Sequence, residues 1–443
     1  MDVRVSHGRI AEIGQSLVPR TPDAHRVDGR GGALLPGLHD HHLHMLSMAA
    51  SLGSVDLSRT DRPWSELLRT ATPDASGWIR AVGHRDPAQG GLDRLALDRV
   101  RPDVPVRVQH RGGALWTLNS PALQLISQPV GAVEHEGVER DATGRRTGRI
   151  WRRDDLVRSA AGSVLPDLAP VQRQLRALGI TGVTDASPDL EPPAVDHLTS
   201  SLSSGPDQLR LTLLAAEQGQ TDNKWATIGP RKIVLHDHDL PTPHDIEVVI
   251  RSAHAAGRPV AVHCVTRQSL VLTLAALDSA GSMRGDRVEH GSVIPSELAD
   301  WLARLGVRVV TQPLLLRDRG DDYLAMTDSH DLAHLYPYGS LLDRGILVAP
   351  SSDAPYADPD PWAAMQSAHR RRSLGGRRVG IDRSVSPAVA LQGYLSPPED
   401  PGGAPRRVRV GAAADLCLLH VPLVTALHEG SADAVRATWV GRC

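Results

Sequence analysis

From about residue 170 onward the chain repeats one pattern: a short run rich in β-branched residues, then a stretch with helical spacing, then another such run. That order is what parallel strands joined by crossover helices require. Seven runs can be placed: TGVTDAS (181–187), LRLTLLAA (209–216), RKIVLHD (231–237), PVAVHCV (259–265), DRVEHGS (286–292), VRVVTQPL (307–314) and ILVAPSSD (346–353). ALLPGLHDHH (33–42) supplies an eighth. Between them, PHDIEVVIRSAHAAG and PSELADWLARLG carry helical spacing, the first closing at Gly257 as a C-cap would. Eight βα units over this length predict an α/β fold, a (β/α)8 TIM barrel, with its active site where the strands end.

The first two barrel strands are separated by about 130 residues (roughly 50–165 as an inserted subdomain) rich in Arg, Asp, Gly and Pro, too many for one crossover. An insertion after a barrel strand is expected to hang over the mouth as a lid. The chain ends, residues 1–35 and 405–443, have strand and turn signals of their own and are expected to pair into a composite β-sandwich beside a barrel of residues 36–404.

Composition narrows the function classes. With 443 residues, 41% of them hydrophobic, and a net charge of −2, the chain can bury a large core and offers no field for nucleic acid. The basic runs HRRRSLGGRR (369–378) and PRRVRV (405–410) lack interleaved aromatics and read as a solvated helix end and loop. No apolar run is long enough to span a membrane and the start lacks signal-peptide order, so a cytoplasmic protein is expected. The three cysteines, Cys264, Cys417 and Cys443, are too scattered for a metal motif or a disulfide framework.

The chemistry is concentrated in LHDHHLHM (38–45). Strand alternation makes two pairs of it, His39/His41 and His42/His44, and a position nearer the strand end favours the later pair, with Asp40 on the same parity. His263, His290 and Asp353 also stand where apolar runs give out. Each alone reads as a hydrogen-bonded core histidine or a helix N-cap. Together, imidazoles and a carboxylate make a ligand set suited to zinc or a similar divalent metal. Lys232 is conspicuous because all but two of the 49 basic residues are arginine, and it lies in an aliphatic run. Snorkelling to solvent is one reading. The other is a carbamate formed with carbon dioxide, able to bridge two cations about 3.5–4 Å apart. His236 and His238 form one more period-two pair.

In GRIAEIG, LLPGLHDHHLH, GITGVTDAS, RKIVLHD, VAVHCV, DRVEHGSV, VAPSSDAP and GAAADLCLL, in that order, the chain resembles the amidohydrolase superfamily, in its amidohydrolase-3 branch of enzymes like N-substituted formamide deformylase. VRVQHRGGALWTLNSPAL and GRRTGRI in the insertion resemble it too. The resemblance implies His42, His44 and Asp353 on one metal, His263 and His290 on a second, and Lys232 as the carbamylated bridge. It implies hydrolysis of a non-peptide carbon–nitrogen bond of a small-molecule amide, with Asp353 as general base, and leaves His39 and His41 as supporting residues. The chain departs from the pattern in the short HDHDLPTPH after Lys232 and in Thr266 and Arg267 where the family has Gly-Asp.

Three other readings remain at this level: a mononuclear deaminase using His42, His44, His263 and Asp353 with His290 orienting water, a phosphotriesterase-type hydrolase, and a non-catalytic barrel. With no phenylalanine in the chain, a substrate wall falls to Trp116, Tyr323, Tyr336, Tyr338, Tyr356 or Trp362, and their alternative is ordinary packing. A homo-oligomer is compatible with the sequence.

Overall fold

The computed structural model describes residues 1–441 apart from 22–23, 59–61, 86–90, 127–136, 163, 206 and 218–224, so Lys224 and Cys443 lie outside the described residues. The chain divides into two compact units, Met1–Met45 with Leu168–Cys443, and Leu46–Asp167.

The larger unit is built on two parallel sheets. Strands β1 (Leu38–Leu43), β2 (Ile180–Asp185), β3 (Arg210–Leu213) and β4 (Ala226–Ile228) form one, in the order β4-β3-β2-β1. Strands β5 (Arg231–Val234), β6 (Val260–Cys264), β7 (Arg287–His290), β8 (Arg308–Thr311) and β9 (Val348–Pro350) form the other, in chain order. Their side chains are buried on both faces, as Val262, Val288, Val309 and Val310 show, which is why the runs read as near-continuous apolar segments.

Each expected run contains a strand, with two differences that have local causes. The run 33–42 is divided: Leu34–Pro36 pairs antiparallel with Leu416–Leu419, and the parallel strand begins only at Leu38. Pro36 and Gly37 make the break, and a Cβ on Gly37 would stand 2.1 Å from Thr181, so only glycine lets the backbone pass there. The second difference is β4, which precedes the expected 231–237 strand. Gly229 packs against Thr212 and Pro230 has no N–H to donate, so one extended segment is cut in two, β4 pairing with β3 and β5 with β6.

At the two seams between the sheets a few hydrogen bonds stand in place of named ladders: Lys232 N to Leu214 O (3.2 Å) at one, and Asp353 N to His42 O and His44 N to Ala354 O (2.8 Å each) at the other. Crossover helices cover the strands. Pro243–Ala255 starts with a capping box between Thr242 and Asp245, buries Ile246, Ile250 and Ala253, and is followed by Gly257 at φ 70°.

The chain ends do meet. Asp2–Ser6 and Arg9–Gly14 form a hairpin, while Leu34–Pro36, Leu416–Leu419 and Val435–Trp439 form a three-stranded antiparallel sheet. Ile10, Ala414 and Leu416 are their common buried centre, and Ile10 N donates to Ala412 O at 2.9 Å.

The basic runs are not wholly solvated as their composition suggests. Arg371 is buried and donates to the carbonyls of Leu335, Tyr336 and Val379, and Arg406 donates to those of Gly37 and Leu395. Several backbone acceptors converging on one guanidinium offset its desolvation.

The smaller unit carries a mixed six-stranded sheet over two buried clusters, one around Leu68 and Leu97, the other around Trp116 and Ile150. Arg107 lies over both Trp78 (5.6 Å) and Trp116 (5.7 Å). Among the described residues no helix is long and apolar enough to cross a membrane.

Candidate metal centre

Ligand-capable atoms of His42, His44 and Asp353 lie within 4.8 Å of one another, although Asp353 is more than 300 positions from the two histidines. β1 brings the histidines. It is bulged against β2, with register shifts on both sides of the Gly182–Val183 pairing, so all of His39, Asp40, His41 and His42 are buried and simple alternation does not sort them. His39 Nε2 bonds Thr184 Oγ1 at 2.9 Å, and His41 Nε2 meets Gly393 O and Ser396 Oγ at 3.1 Å each. Asp40 accepts from the N–H groups of His42 and Ser352, tying β1 to the segment that carries Asp353.

Two residues reach the cluster only through unusual backbone. Arg287 and Glu289 share one side of β7, where Arg287 Nε donates to Glu289, so alternation sends His290 to the other side. At φ 69° His290 turns back, and its ring lies 4.8 Å from His42 and 4.4 Å from His263. Asp353, at φ 59°, lies beyond the end of β9. Left-handed conformations at residues other than glycine cost about 1–3 kcal/mol each, and surrounding structure must enforce them.

The imidazoles share one arrangement. His42 Nδ1 is hydrogen-bonded to Glu289 Oε2, His44 Nδ1 to Ser187 Oγ (3.2 Å), and His290 Nδ1 to Gln312 Oε1 (2.9 Å). This leaves Nε2 of His42 and His44 for the cluster, while His290 Nδ1 itself lies 3.9 Å from Asp353 Oδ2. His44 Nε2 is 3.2 Å and His42 Nε2 3.5 Å from Asp353 Oδ1, and His42 Nε2 has no hydrogen-bond partner although it is buried. A buried imidazole nitrogen without a partner, aimed at a carboxylate, fits a divalent cation.

Burial, then the charge of Lys232, pulls His42 down to about 3, and burial lowers His263 and His290 as well. These rings are therefore neutral near pH 7, the form that ligates. Burial alone would raise the Asp353 carboxyl, but the hydrogen bond from His44, with the charge that His290 and His42 take up only in acid, outweighs it and holds it well below the usual carboxylate range. Lys232, on β5, is coupled by charge to Glu289 and Asp353 as well as to the histidines, and burial lowers its ammonium.

The Tyr356 ring lies against a cluster member, 5.6 Å from that of His44. Tyr323 joins hydroxyls with Tyr336 at 3.2 Å, Tyr338 and Trp362 are packed out of solvent, and Trp116 donates to Asp154 within the core of the smaller unit. His236 and His238 are exposed in the turn after β5, their rings facing each other. That short turn is tied down where Thr266 Oγ1 donates to Asp237, and Arg267 pairs with Asp331 at 2.6 Å. Glu289 was not singled out from the sequence. The available signal was an acid and a base two apart, Arg287 and Glu289, inside an otherwise apolar strand.

A cavity of about 760 Å³ opens at the other end of the strands, lined by Thr227, Pro230, Pro259, Arg258, Glu399 and Asp400 among others. None of the clustered histidines reaches it.

Residues 26–441 match the amidohydrolase family. N-substituted formamide deformylase of Arthrobacter pascens is 24% identical, over 94% of this chain and 89% of its own length. The putative amidohydrolase YtcJ of Bacillus subtilis is also 24% identical, over 80% of this chain and 76% of its own. Among solved structures, an uncharacterized metal-dependent hydrolase from Pyrococcus horikoshii superposes with a TM-score of 0.73 at 19% identity, over 94% of this chain and 93% of that one.

Proposed function

Because the chain belongs to the amidohydrolase family, we infer that it is a metal-dependent hydrolase of non-peptide carbon–nitrogen bonds and propose the strand-end cluster as its active site. The convergence of His42, His44 and Asp353 carries this reading. We propose a small-molecule amide as substrate, in keeping with what the name of the deformylase relative says of that enzyme. The two parallel sheets, bonded at both seams, are read as one (β/α)8 barrel whose mouth is the cluster, and the joined chain ends as a composite β domain.

His42 and His44 would hold one cation through Nε2, with Asp353 as its carboxylate ligand, and His263 and His290 would hold a second. A divalent ion, zinc by the chemistry of these donors, supplies Lewis acidity that lowers the pKa of water and polarises a carbonyl oxygen. Asp353 takes the proton of the attacking water at a carboxylate oxygen and returns it to the departing nitrogen. The Tyr356 ring, beside His44, limits the space on that side of the reacting carbon. Lys232 is the candidate bridge to a second ion: its free amine adds carbon dioxide, losing a proton and presenting two carbamate oxygens.

The test is metal content together with turnover on an amide panel. We expect stoichiometric metal and hydrolysis lowered by about 10²–10⁴-fold in Asp353→Asn; metal-replete protein that turns over no amide, but deaminates an aminated heterocycle, would replace this reading with the deaminase one. Loss of one of two ions in Lys232→Ala would support the bridge, and a single ion unaffected by that change would dismiss it.

A further inference from the structure

We propose that Glu289, backed by Arg287, is the positioning residue of the metal centre: its carboxylate holds His42 in the tautomer that presents Nε2, and it does so without ligating the metal itself. The inference rests on the metal-centre reading above.

Glu289 is fully buried. Its two oxygens are divided between two partners, Oε2 facing His42 Nδ1 and Oε1 accepting from Arg287 Nε at 2.5 Å. Arg287 is also fully buried and its Nη2 reaches toward His41 O at 3.5 Å. A buried ion pair of this kind is seldom the most stable choice, since apolar residues of similar volume commonly do as well or better. What the pair adds here is direction. An anion at Nδ1 requires the proton on that nitrogen, so Nε2 has a lone pair to offer, and the negative charge raises the basicity of the ring as a ligand. With Arg287 on the second oxygen, the carboxylate is held back from the cluster.

The other two ring partners, Ser187 Oγ and Gln312 Oε1, are neutral. Charge-assisted hydrogen bonds are roughly twice as strong as neutral ones, so His42 is the most firmly oriented of the three. This gives Glu289 a larger share in metal affinity than Gln312, although neither touches the ion.

Zinc affinity of the full chain, read by competition with a chromophoric chelator, tests this without turnover. We expect Glu289→Gln to weaken zinc binding about 10–100-fold, in the range for supporting partners of metal-bound histidines. Gln312→Ala should weaken it less, and Glu289→Asp, which keeps the charge and shortens the reach, should fall between Glu289→Gln and wild type. Histidine-labelled wild-type protein gives a second measurement independent of any variant's folding: in the zinc form the His42 proton should be on Nδ1 in nitrogen-15 spectra. Zinc binding by folded Glu289→Gln within twofold of wild type, or a His42 proton on Nε2, overturns the proposal while leaving the centre intact. A wild-type chain that takes up no zinc overturns the centre and this proposal together.

Discussion

The two ends of the parallel strands use polar groups differently, although buried nitrogens without a hydrogen bond occur at both, Arg287 Nη1 and Arg308 Nη1 among them at the strand starts. At the strand starts, charges are used for closure: Arg308 pairs with Asp400, and Arg258 donates to the carbonyls of Gly229 and Leu214. At the strand ends, His42 Nε2 is left without a hydrogen bond, two residues are held at positive φ, and histidines are packed ring against ring. The first arrangement stabilises a fold; the second is costly unless something binds. A cavity of about 760 Å³ lies at the stabilising end, away from the clustered histidines.

The strongest challenge to that division is chemical. Asp353→Asn should lower kcat/KM by about 10²–10⁴-fold, the usual worth of a general base, with the thermal midpoint little changed; steady-state kinetics beside calorimetry would show whether activity and stability separate. At the opposite end Arg308→Ala should leave kcat within about threefold and lower stability by about 1–2 kcal/mol, less than a fully buried pair because Asp400 is partly exposed. A large fall in kcat there would break the contrast.

Acidification sharpens it by degree. His41 is pulled from 6.5 to about 3, by burial first and then by the Arg287 charge. Between those values the unfolded chain binds the proton that the folded chain refuses, so stability should fall as pH drops from about 6.5 toward 3. Denaturant titrations of the metal-free protein at several pH values would check this, and His41→Asn should flatten the dependence. The smallest effect is expected at Tyr356. Replacing it with alanine removes a ring contact worth about 0.5–1.5 kcal/mol, so kcat/KM should fall about 2–10-fold.

Much of this is legible in the linear pattern, for a reason that can be named. Parallel strands buried on both faces must be apolar, so the positions where they stop being apolar mark candidate residues; His42, His263, His290 and Asp353 stand out that way, and the structure brings His42 and Asp353 together with His44. Glu289 was missed by the same logic, because it is inside the strand and not at its end, where a charge reads as an error in the pattern. Trp116 reads from the sequence as a pocket wall or as ordinary packing, and its indole donates to Asp154 in the core of the smaller unit.

The amino-acid order by itself determined the βα alternation, the meeting of the chain ends and the identity of the candidate ligands, because local propensity and burial period are written residue by residue. Only the tertiary structure decided where Pro36 and Pro230 cut strands in two, and that His290 turns inward against its parity. It alone placed a carboxylate behind His42. Those outcomes depend on which backbone lies alongside, and neighbours in space are set by the whole chain at once.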